Sequence, residues 1–185
     1  MIFKSSWLGK RDDHPICKIE RILKVHNTQS TIQRFEECRD SVGILTRCNT
    51  SKNPRCAADG NEQLRFHCTN LTCSLDSSLC CNSVVPGCGV CSVLRHGFPA
   101  GKGVRTTASS VKAHNGFGSV DWDNTRAMLV CRVIAGRVNE ANSTNVAETC
   151  DAIGAGQNAY GTYEKLFIFN PEAVLPCFVV NYTSQ

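Results

Sequence analysis

The sequence predicts an α+β fold in one domain. Near the start, a capping pattern is followed by apolar residues at helical spacing. Short apolar runs of strand length dominate the second half. A long Gly- and Cys-rich stretch without periodicity lies between them. The 185 residues are enough for one sizeable core. Residues 1–16 read as an N-terminal extension, and 17–185 as the domain, with a Cys-rich insertion at 68–91.

The elements follow in order. Cys17 to Val25 mixes charged and apolar residues in partial alternation and reads as a strand. Ser30 and Gln33 form a capping-box pair, each side chain serving an orphan backbone donor. Ile32, Phe35, Val42 and Leu45 then share a helical face, so residues 30–46 are expected to be helical. Residues 47–61, with Asn53-Pro54 and Asp59-Gly60, read as a loop, and 62–67 as a strand. Residues 70–103 are expected to hold no regular element longer than a turn or two. A loop of that length in a compact domain usually has a function or a staple. Ala127 to Ala135 reads as a buried strand, and 139–161 as polar and Gly-rich. Leu166 to Phe169 is apolar on both faces and so central to a sheet. Val174 to Val180 is a last strand, with Pro176 near its start or on an edge because proline cannot donate to a ladder.

Composition excludes several classes. A net charge of +4, scattered along the chain, is no footprint for nucleic acid. No apolar run is long enough to cross a bilayer. Residues 1–14 lack the apolar centre of an export signal, so an intracellular location, nuclear or cytoplasmic, is expected. On that expectation the thirteen cysteines are reduced thiols or metal ligands, and the odd count fits a complete disulfide framework poorly. The sequons at Asn49, Asn70, Asn142 and Asn181 are then chance matches.

Cys68, Cys73, Cys80, Cys81, Cys88 and Cys91 crowd into 24 residues. Cys88-Gly89-Val90-Cys91 has the spacing that lets two thiolates reach one tetrahedral zinc. Cys73 with Cys80 or Cys81 completes four ligands, and the expected set is Cys73, Cys81, Cys88 and Cys91. Two alternatives stand beside it. One is a loop of reduced cysteines. The other is a redox pair at Cys88 and Cys91, for which no surrounding βαβ pattern is visible.

Asn61-Glu62-Gln63-Leu64-Arg65-Phe66-His67-Cys68-Thr69 resembles the Asn-Glu-x-x-Leu-Phe-His-Gly-Thr signature of the poly(ADP-ribose) polymerase-like ADP-ribosyltransferases. Further segments resemble that family in the right order. They are Ile19 to Asn27, Arg95 to Phe98, Gly101-Lys102-Gly103-Val104, Met128 to Val138, and Gln157 to Tyr160 ahead of Tyr163 to Phe169. The chain also resembles a group of uncharacterised plant proteins sharing Phe-His-Cys-Thr and Cys-Arg-Val-Ile-Ala-Gly-Arg-Val, some with an upstream zinc finger.

The resemblance implies a split, curved pair of antiparallel sheets with few helices, and NAD in the cleft between them. It implies that His67 holds a ribose of NAD, with Cys68, Thr69 and Gly103 lining the cofactor. Cys68 stands where the family has glycine, Arg105 where it has the stacking tyrosine, and Ala113 where it has a serine. Lys165 matches the catalytic glutamate. Glu164, one residue earlier, faces the other way unless a bulge brings it in. Only the histidine of the triad is retained. The expected activity is therefore transfer of at most a single ADP-ribose. The alternative is an inactive, zinc-stabilised module that binds an unidentified protein partner.

Overall fold

The structure, a computed structural model, describes residues 17–48, 54–73, 87–116, 126–141, 150–159 and 161–184. The described elements are strands β1 (Cys17–Lys24), β2 (Glu62–Asn70), β3 (Val104–Thr107), β4 (Arg126–Ile134), β5 (Val138–Glu140), β6 (Ala152–Gln157), β7 (Tyr163–Ile168) and β8 (Val174–Ser184). Four helices accompany them: α1 (Gln29–Cys48), α2 (Pro54–Asp59), α3 (Gly89–His96) and α4 (Ser110–Asn115).

The strands form one eight-stranded sheet in the order β1-β8-β4-β2-β3-β7-β6-β5. It is mixed, because β5 and β6 run parallel while the other pairs are antiparallel. This corrects the expectation of purely antiparallel sheets. The sheet also has a weak seam. β2 and β4 pair over their whole length, from Glu62↔Ile134 to Asn70↔Arg126. β2 and β3 share only the pair Phe66↔Thr107. Two half-sheets therefore meet at a single bridge.

Burial follows from the pleat. β4 is buried at every position but Arg126 and Arg132, because both of its faces are covered. Leu129, Cys131 and Val133 join Val179 of β8, Phe35 and Val42 of α1, and Val90 and Val93 of α3 in the main core. On the opposite face Phe66, Cys68, Met128, Val130, Val180 and Tyr182 pack with Ala113 of α4.

Several local expectations are corrected. The N-cap of α1 is Thr28, whose Oγ1 accepts from Thr31 N at 3.2 Å. Ser30 already lies inside the helix, so Gln33 donates forward to Glu37 at 2.9 Å and does not reach back. Leu45 is exposed, because it lies about 80° round the helix from Phe35. Pro54 opens helix α2 where a loop was expected, since proline suits a first helical turn. As expected, the described part of the 70–103 stretch holds no helix longer than the roughly two turns of α3, and the Gly-rich 139–161 stretch contains β6. Pro176 sits inside the sheet near the start of β8, at a register shift opposite Cys131. Beyond Lys24↔Phe178, β1 no longer pairs with this part of β8, so no donor is missed on that side.

The seam is spanned by Arg65, a side chain only 1% exposed. Its Nη1 donates to Tyr163 O at 2.7 Å and its Nη2 to Glu164 O at 3.3 Å, both on β7. Its Nε donates to Thr106 Oγ1 of β3 at 3.5 Å. Burial pulls the guanidinium down to about 10, so it stays charged at neutral pH. A charged donor inside the fold is tolerable only while its hydrogen bonds are made. Arg65→Met should therefore lower the unfolding free energy by more than about 2 kcal/mol, read from chemical denaturation. A loss under about 0.5 kcal/mol, an ordinary surface effect, would mean that Arg65 does not hold the halves together.

Candidate functional site

The seam opens into a cavity of about 340 Å³. Register explains its floor. Arg105 pairs with Phe167 and Thr107 with Lys165, while Ile153 and Ala155 of β6 pair with Phe167 and Lys165. Paired residues point to one face of a sheet, and all six line the cavity. The alternate residues Val104, Thr106, Leu166 and Ile168 are buried, with Thr106 and Leu166 still bordering the cavity. Phe66, His67 and Cys68 supply one wall, and Lys112, Ala113 and Gly116, at and just past the end of α4, supply the cover. Ser109 caps α4 by accepting from Lys112 N.

His67 is held on two sides. Its Nδ1 lies 2.8 Å from Arg105 O, and its ring meets Phe98 edge-on at 5.1 Å. A carbonyl only accepts, so Nδ1 carries the proton and Nε2 keeps its lone pair. Burial depresses the imidazole, and the Arg105 carbonyl opposes that only in part. The ring is therefore a neutral acceptor at pH 7.

The charges in the cavity are mostly positive. Lys112 forms an ion pair with Glu164. Arg105 and Lys165 are exposed on the cavity floor, and among the described residues neither forms an ion pair. Lys165 and Glu164 follow the alternation of a regular strand: β7 pairs with β3 and β6 without a bulge there, Lys165 lines the cavity, and Glu164 does not.

Of the other residues named from the sequence, Thr69 and Gly103 lie outside the lining and Cys68 within it. Thr69 is buried at the end of β2, close against Gly89, and Gly103 precedes β3. Gly103 has φ +62°, and a Cβ there would come within 2.5 Å of the Phe167 ring, so glycine is required by packing. Cys68 lines the cavity with its sulfur 3.4 Å from Tyr182 Oη, which also meets His114 Nδ1 at 2.9 Å. Burial pushes the Cys68 thiol up, which leaves it a poor nucleophile. The polar lead-in of the signature is structural. Asn61 has φ +55° and donates to Gly136 O, while Glu62 accepts from Arg39 and Arg132 at 2.6 Å each. Lys112 and Arg65 escaped sequence reasoning: Lys112 belongs to no motif, and Arg65 lies within the Asn61–Thr69 signature at a position that carried no role. The capping serine ahead of α4 was the available signal for the first.

The cysteine cluster forms a second centre. Cys73, just past β2, lies 3.6 Å from Cys88 and 3.5 Å from Cys91, sulfur to sulfur. These distances exceed the 2.05 Å of a disulfide by far. All three sulfurs lie within 4.8 Å of one another, so the cluster could hold a metal ion. Burial would raise the Cys88 thiol, but the backbone N–H groups of Cys91 and Thr72 and the neighbouring thiols bring it down to about 7. Cys80 and Cys81 lie outside the described residues. Asn70 ties the same corner, its Oδ1 accepting from Gly89 N at 3.1 Å. No model of a known protein family matches the chain. Comparison with curated proteins gives no match either.

His67 and His114 both titrate below the ordinary 6.5, the first through burial, the second through burial and the Arg126 charge. As pH falls through 6.5 the unfolded chain therefore takes up protons before the fold does, and stability present above that pH is lost. The melting temperature should drop between pH 7 and pH 5, and His67→Gln should flatten that slope. An unchanged slope in the variant would remove His67 from the effect.

Proposed function

We propose that the chain is an ADP-ribosyltransferase-like domain of the poly(ADP-ribose) polymerase-like group, with NAD as the nucleotide of its cleft and with transfer weak or absent. One observation carries the reading. His67 on β2, Arg105 on β3 and Lys165 on β7 surround one cavity where two half-sheets part. That is the layout the resemblance implies for the histidine, the tyrosine and the glutamate. His67 Nε2 can accept from a ribose hydroxyl. The split eight-stranded sheet supports the ADP-ribosyltransferase fold.

Chemistry at this site is weakened by Lys165. Loss of nicotinamide leaves positive charge on the ribose carbon, which a carboxylate stabilises and an ammonium opposes. At about 4 Å the interaction is about 1 kcal/mol in water and about 4 kcal/mol at a protein surface, or roughly fivefold to a thousandfold in rate. Glu164 is engaged by Lys112 and does not line the cavity. At most a single ADP-ribose would be transferred. Lys165→Glu should raise NAD hydrolysis at least about fivefold, measured by nicotinamide release. No gain in a variant that still binds NAD would mean that Lys165 is not what limits the chemistry.

The same two cations favour a second reading, a module that binds an as yet unidentified protein partner inside the cell and catalyses nothing. In either case we assign zinc to Cys73, Cys88 and Cys91, with Cys81 as the fourth ligand suggested by the sequence. Three convergent thiols suit zinc. A bound ion would clamp α3 to the end of β2, and with it the Phe98 that backs His67. The purified chain should contain about one zinc per molecule by elemental analysis, and Cys88→Ser should lose it. Metal near zero in the unaltered chain would remove the clamp.

A further inference from the structure

The cavity carries an electrostatic preference of its own. Arg105 pairs with Phe167, and Lys165 stands two residues from Phe167 on the same strand face. The two cations are therefore diagonal neighbours, about 7–8 Å apart at the backbone and within joint reach of one small anion. No described carboxylate pairs with either. The nearest acidic group on β7, Glu164, is neutralised by Lys112. Phe66, Ala113, Ile153 and Phe167 add apolar surface suited to a flat ring, beside the polar Thr106, Thr107 and Lys112. The volume of about 340 Å³ fits a nucleoside-sized piece of a ligand.

We propose that the cavity selects an anionic nucleotide that carries no fixed positive charge: a nucleoside diphosphate, its ribose conjugate, or a reduced nicotinamide dinucleotide in preference to the oxidised one. This rests on the reading of the cleft as a nucleotide site and specifies its ligand. Phosphate oxygens are held between Arg105 and Lys165, where they accept from a guanidinium and an ammonium. A cationic ring on the same floor meets two like charges, with no carboxylate among the described lining residues to screen them. The neutral His67 adds an acceptor for a sugar hydroxyl and no compensating charge.

NADH and NAD differ by one hydride and hence by one positive charge on the ring, which makes them the sharpest probes. Calorimetry on the full chain at about 50 mM salt should show NADH and ADP-ribose binding at least about fivefold more tightly than NAD. Lys165→Gln and Arg105→Gln, both at exposed positions, should narrow that ratio toward one. Higher salt should narrow it too. Equal affinity for NADH and NAD in the unaltered chain would overturn the charge selection and leave the nucleotide cleft standing. A preference that survives both variants would also overturn it. Failure of all three ligands to bind a cooperatively folded chain would overturn the selection and the nucleotide cleft together.

Discussion

The whole arrangement depends on how two half-sheets are joined across one bridge. A single pair, Phe66↔Thr107, contributes little ladder, so the seam needs another tie. Arg65 supplies it by reaching from β2 past β3 to the carbonyls of Tyr163 and Glu164 on β7. Among the described residues its partners are neutral oxygens and no carboxylate, so the guanidinium keeps its charge in a buried place. Such a group is costly to bury and far more costly to leave unpaired. It therefore specifies one relative placement of the halves.

That placement creates the cavity. Strands that pair along their full length leave no room between them. Strands that diverge after one pair expose the side chains of both edges. His67 borders that cavity, with its proton directed to Arg105 O, which leaves Nε2 as the ring's acceptor. The chemistry available follows from the floor's charges. Arg105 and Lys165 make it a place for negative oxygen, and Glu164, next to Lys165 on β7, is bound to Lys112.

The cysteine corner acts on the same site from behind. Cys73 ends the segment leaving β2, and Cys88 and Cys91 begin α3. Together with Asn70 they fix the start of α3 against β2. The helix ends at Gly97, whose φ of +76° lets the chain turn and set Phe98 against His67. An ion at the sulfurs would thus be a structural support for the ring that faces the ligand, not a participant in chemistry.

Much of this was legible in the sequence, because it is local. Partial alternation marked β1 and helical spacing marked α1, while short apolar runs of strand length marked β2, β4, β7 and β8. Cys88-x-x-Cys91 declared two convergent thiols for the same reason: four residues set their separation. Alternation along one strand was also enough to send Lys165 and Glu164 to opposite faces. The short elements were not legible. Helices α2 and α4 and strands β3, β5 and β6 are too brief to show a period, and α2 hides behind a proline that reads equally as a loop. The seam, the Arg65 tie and the Lys112–Glu164 pair belong to the tertiary structure alone. Each depends on which distant segments meet, over separations as long as the 98 residues between Arg65 and Tyr163. The sequence by itself determined the α+β class, the main strands and the residue types offered to the site. Only the folded sheet decided which of them share a cavity, because long-range pairing, unlike periodicity, leaves no trace along the chain.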